Sequence, residues 1–217
     1  MFAMILRTQW AWTRVLVALL ALIAFLTPVF AWRISGGNDR APGAMQLIKG
    51  LVLLGPMLGF LALFGSFVLA VYPWTIDAET KHVYPLSLPI TWSRYVGMRY
   101  FAGALTLLVP ALALYVGNRF AVSMITLPPL LQAYPGTLAF RFLLAALVAY
   151  SASFALQYLA GRRATIVALL LVLVPTLIFA AAELAGARGF GDAVGRFLFE
   201  WPGPFSVFSQ PWVLIDV

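Results

Sequence analysis

From residue 50 to residue 76 the chain carries no charge: GLVLLGPMLGFLALFGSFVLAVYPWTI, bounded by Lys49 and Asp77. A helix needs about 20 apolar residues to cross the hydrocarbon core of a bilayer, and buried helices of soluble proteins are shorter. This stretch therefore predicts a membrane span. Composition extends the point to the whole chain. Only 10% of the 217 residues are charged and 63% are hydrophobic, whereas soluble domains carry about 25% charged residues.

Four further charge-poor runs have spanning length: 15–32, the stretch between Arg99 and Arg119, the stretch between Arg141 and Arg162, and 164–182. Backbone N–H and C=O groups in lipid must pair within the segment, so each run is expected as a helix. The period-two alternation of a barrel strand is absent. The expected fold class is all-α, a polytopic transmembrane bundle forming a single domain over 1–217. It has five spans within 15–182, a connector at 75–95 and an aromatic, Pro/Gly-broken tail at 183–217 that lies at an interface or re-enters. Residues 1–14, MFAMILRTQWAWTR, are apolar and aromatic with two arginines, which predicts an amphipathic helix lying flat at the interface. The first run also reads as a signal peptide with a small-x-Ala site at Val29-Phe30-Ala31. Trp10, Trp12 and the continuation to Trp32 favour a retained span. A tight turn is expected at Gly161-Arg162-Arg163. Pro110 and Pro175 lie mid-span and predict kinks.

Charge and chemistry narrow the functional classes. The net charge is +7, and the basic residues sit between or beside apolar runs, where they anchor helices rather than bind nucleic acid. They divide evenly between the two sides of the five-span topology; the compact Arg162-Arg163 turn favours a cytoplasmic N-terminus. With no cysteine and the single His82, thiolate metal sites and paired-histidine haem ligation are excluded. Gly50 and Gly55 have phosphate-loop spacing, but leucine-rich helix surrounds them and Pro56 follows, so no nucleotide-cradling loop is present. Gly189-Phe190-Gly191-Asp192 matches a G-x-G-D protease string. That chemistry needs a second carboxylate, and no apolar run contains an Asp. Gly55 and Gly59 form a G-x-x-x-G that suits close helix packing. Glu183 ends the fifth run, where it reaches water. The run interiors offer only Ser, Thr and Gln, so a proton- or sodium-driven carrier is poorly equipped.

The connector carries the most information. Glu79 is followed by Leu86-Ser87-Leu88-Pro89-Ile90-Thr91 and then by Arg94, Tyr95 and Arg99, with Thr91 or Ser93 as candidate helix caps. This resembles the ABC-2 type permeases, the membrane subunits of one group of ABC transporters. There an acidic residue after the second span precedes an L-S-L-P-I-S-R-like stretch. The resemblance covers the layout of residues 1–182 and the motif of 79–99. It implies a coupling helix between spans two and three that docks on a separate ATP-binding subunit, which would hold the ATP and magnesium. It also implies an elbow-like N-terminal helix and a second permease copy or related permease. Glu79, His82, Tyr84, Leu86 and Pro89 are the expected docking residues. Arg94, Arg99, Arg162 and Arg163 are the expected headgroup anchors. No catalytic, metal or cofactor residue is expected on this chain. The expected location is a bacterial inner membrane, and the expected direction is export. The family has six spans, and this chain offers five. A non-transporting membrane scaffold fits the sparse polar interior equally, and a small membrane enzyme lacks the carboxylate cluster it would need.

Overall fold

The computed structural model describes residues 1–35, 44–79, 90–125, 132–184, 196 and 215–216, with side chains for 1–31, 50, 57–77, 90–125, 132–158, 166 and 196. The described chain is helical apart from short connections and one two-residue strand pair. Its elements are α1 (Phe2–Ser35), α2 (Ala44–Glu79), α3 (Trp92–Thr106), α4 (Leu108–Ser123), β1 (Gln132–Ala133), α5 (Pro135–Leu184) and β2 (Ile215–Asp216). Four helical stretches are long and apolar enough to cross a membrane: Phe2–Ala31, Met57–Asp77, Trp92–Ser123 and Pro135–Tyr158.

The helices form a ring in which α1 packs on α2 and on α4, while α5 packs on α2 and on α4. The continuous pair α3–α4 and helix α2 stand at opposite corners. Helix α1 runs parallel to α3–α4: Trp12 lies beside Arg99 near one end, and the Phe25 and Phe120 rings meet at 6.5 Å near the other. Helices α2 and α5 run the other way, with Trp74 against Phe154 at 5.6 Å. The core between them is built from Val17, Leu20, Ala24, Leu58, Leu69, Leu114, Phe142 and Tyr150. Ser66 Oγ donates across this interior to the Ala146 carbonyl at 2.8 Å.

Three expectations are corrected. First, no break separates an interfacial helix at 1–14 from the first span. The buried residues Ile5, Gln9, Thr13, Val17, Leu20, Ala24 and Thr27 recur every three or four positions, one stripe along a single helix. Its outer part packs on α3, with Ile5 against Tyr95 and Ala102. Second, Gly161-Arg162-Arg163 makes no turn; α5 is continuous from Pro135 to Leu184. Arginine is a good helix former, and one glycine costs about 1 kcal/mol, too little to end a helix flanked by alanines. Third, α2 continues as helix past Trp74 to Glu79, which brings Asp77 into a span.

The helix is interrupted at Leu107, between α3 and α4, three residues before Pro110. Proline offers no N–H to the carbonyl four residues back, that of Thr106, and α3 ends at Thr106. Leu107 N–H instead reaches the Ala104 carbonyl at 3.2 Å, a tighter turn. At the other end of α3 the cap position is Thr91, but its side chain makes no capping hydrogen bond. Strands β1 and β2 pair antiparallel, Gln132 opposite Asp216 and Ala133 opposite Ile215.

Candidate functional site

The connector end of the bundle holds the one described acidic side chain, Asp77, and it is fully buried. Helix geometry explains the arrangement from the α3 side. Tyr95 and Arg99 are four residues apart and share a face. That face looks across the bundle to the last turns of α2. Arginine and tyrosine are long enough to reach the opposite corner, where shorter side chains would not.

Arg99 Nη1 forms an ion pair with Asp77 Oδ2 and a hydrogen bond to the Tyr95 hydroxyl oxygen. Tyr95 donates its own hydroxyl proton to Asp77 Oδ2 at 2.9 Å. Arg99 Nη2 donates to the Pro73 carbonyl at 2.7 Å. The guanidinium also sits 5.4–5.6 Å from the ring centres of Trp12, Trp74 and Tyr95, near enough for cation–π attraction. Three helices thus contribute to one buried charge cluster: α1 through Trp12, α2 through Pro73, Trp74 and Asp77, and α3 through Tyr95 and Arg99. Helix α5 joins by ring contacts. Phe154 packs edge-on against Trp74, and at 5.4 Å against Tyr100, which contacts Tyr150 at 5.6 Å. Tyr100 shares a 2.7 Å hydrogen bond with Ser151, whose hydroxyl donates to the Leu147 carbonyl.

The level of this cluster follows from its neighbours. Trp10 and Trp92 are exposed at the same end, and indole rings collect at the headgroup boundary. A buried charge pair there links helix ends; it does not line the centre of a transport path. The bundle centre is tight. The void among Leu20, Leu61, Ser66, Leu107, Phe142 and Ala146 has a volume of about 10 Å³, room for about one water. At the opposite end a surface groove of about 500 Å³ is lined by Tyr115, Tyr134, Thr137 and Phe140. Among the described residues no group of three His, Cys, Asp or Glu side chains comes together to hold a metal.

The structure distributes the expected site residues unevenly. Arg94 is exposed on the first turn of α3, a position open to headgroups. Arg99, expected as a second anchor, is instead only 3% exposed and points into the bundle. Its carboxylate partner across the ring removes it from the surface. Glu79 is the last residue of α2, and its side chain lies outside the described residues. His82, Tyr84, Leu86 and Pro89 also lie outside them. Arg162 and Arg163 are on the helical backbone of α5, with side chains not among those described. Asp77 was missed as a site residue because it bounds an apolar run and reads as a solvated helix end. The i, i+4 spacing of Tyr95 and Arg99 was the available signal, but it names no partner.

Fold and site together define a helical membrane protein whose helix ends are locked by a buried charge cluster. The chain matches no family model, no curated protein and no solved structure.

Proposed function

We propose that the chain is the permease subunit of an ATP-driven, ABC-2-like transporter, an exporter whose ATPase is a separate polypeptide. The observation that carries this reading is mechanical. The connector leaves α2 at Glu79 and enters α3 at Trp92, and the Asp77–Tyr95–Arg99 cluster ties those two helix ends to each other and to α1. A push on the connector therefore reaches three helices through charged hydrogen bonds, which are stronger and more directional than apolar contact. Glu79, His82, Tyr84, Leu86 and Pro89 are the docking surface in this reading, and no residue performs covalent chemistry.

Purification of the full chain in mild detergent tests the function. An ATP-binding-cassette protein is expected to co-purify, and to be lost from the double variant Glu79→Lys, Leu86→Asp. Retention of the ATPase by that variant, or its absence from the wild-type complex, removes the transporter reading. The tight bundle centre favours one competitor, a non-transporting scaffold, and a stable complex that contains no ATPase is its signature.

A further inference from the structure

The last two turns of α2 differ from the rest of the helix. Pro73 brings no N–H to the Leu69 carbonyl one turn back. Thr75 Oγ1 donates to the Tyr72 carbonyl at 2.7 Å, and Arg99 Nη2 donates to the Pro73 carbonyl at 2.7 Å. The helical ladder is thus broken or shared at Leu69, Tyr72 and Pro73, which makes this a weak joint in α2. Immediately beyond it lies the grip on Asp77.

That grip leaves donors unused. The indole N–H of Trp74 and Nε of Arg99 are buried and have no hydrogen-bond partner among the described residues. An unmade donor in an apolar setting keeps its full desolvation penalty. Both belong to the cluster at the end where Trp92 is exposed, which brings the water–lipid boundary close: Trp74 meets the Trp92 ring at 6.2 Å, and Tyr95, which lies against the Arg99 guanidinium, meets it at 5.7 Å. A small outward swing of the helix end would give both donors water.

We infer that residues 73–79 are a hinged arm, with Pro73 as its joint and the Asp77–Tyr95–Arg99 contacts as its latch. The closed arm gains the ion pair and the ring contacts. The released arm gains hydration of Trp74 and Arg99 and a relaxed helix joint. The opposing terms make the arm a two-position element at the root of the connector. The inference does not depend on the transport reading, because any partner that pulls on the connector meets the same joint.

The chain has no cysteine, so the thiol introduced by Ile76→Cys is unique. It reports on the arm in lipid nanodiscs through its labelling rate with a membrane-impermeant reagent. Tyr95→Phe removes one hydroxyl from the latch. It is expected to raise that rate about tenfold, the population change that follows loss of one hydrogen bond to a charged group. Adding Pro73→Ala, which restores the missing N–H and stiffens the joint, is expected to bring the rate back toward that of Ile76→Cys alone. A thiol introduced by Met98→Cys, at the same level of α3, is expected not to respond. Asp77→Asn serves as a second opening variant. Equal acceleration at both thiols means general loosening and overturns the hinge. So does acceleration that survives Pro73→Ala, or no acceleration from either opening variant.

Discussion

The two ends of the bundle hold the same helices together by different physics. At the connector end α1, α2 and α3 meet through a charged cluster, rings and directed hydrogen bonds. At the far end α1 and α4 meet through backbone contact. A Cβ on Gly117 would collide with the Phe25 carbonyl and lie 2.9 Å from the Pro28 ring. Nearby, Asn118 Nδ2 donates to the Pro135 carbonyl at 3.4 Å. A packed small-residue contact has one good arrangement, since any separation forfeits dispersion on both sides. A polar cluster has two, because water can replace the protein partners once they part. The comparison assigns rigidity to the far end and switching to the connector end.

The largest effect should come from breaking the charge cluster. Arg99→Ala strands Asp77 in the bundle, and loss of one partner of a buried pair costs about 3–5 kcal/mol. Thermal unfolding in detergent should show it. Arg99→Met combined with Asp77→Asn should recover much of the loss. A double variant no better than Arg99→Ala would mean that the rings, not the ion pair, hold this end.

Next in size is the far end. Gly117→Ala should destabilise by about 1–3 kcal/mol through overpacking against the α1 backbone. It should leave the labelling rate at Ile76→Cys unchanged, because the latch is remote. Gly103→Ala, which drives a Cβ into the Tyr150 hydroxyl, should cost a similar amount but act within the aromatic cluster. Comparable stability of both variants to wild type would show that the helix contacts are looser than drawn.

A smaller effect of opposite sign is expected at Gly97, where an added Cβ meets nothing within 4 Å. Gly97→Ala should stabilise α3 by about 0.5–1 kcal/mol, since alanine orders a helix at less entropic cost. The smallest effect is expected from Ser66→Ala. It removes the bond to the Ala146 carbonyl between the two ends and should cost about 0.6 kcal/mol, the mean for hydrogen bonds between membrane helices. A loss of several kcal/mol there would move the key polar contact from the connector end to the centre.

The sequence alone determined that this is a bundle of membrane-crossing helices, because charge-free stretches of bilayer length leave the backbone no other way to satisfy its N–H and C=O groups. It also flagged the neighbourhood of Pro110, where a missing N–H is a local fact and the helix is interrupted at Leu107. It misjudged continuity: the stripe from Ile5 to Thr27 makes α1 one helix, and Gly161 is too weak a breaker to stop α5. The site was legible only in part. Tyr95 and Arg99 stood in the connector motif, but Arg99 read as a headgroup anchor and Asp77 as a boundary. Only the tertiary structure decided that they pair, since the ring order of the helices sets α2 opposite α3. No periodicity along a chain encodes which helix stands across the ring from which. A buried charge is stable only where its partner is, and that position belongs to the packing of four helices.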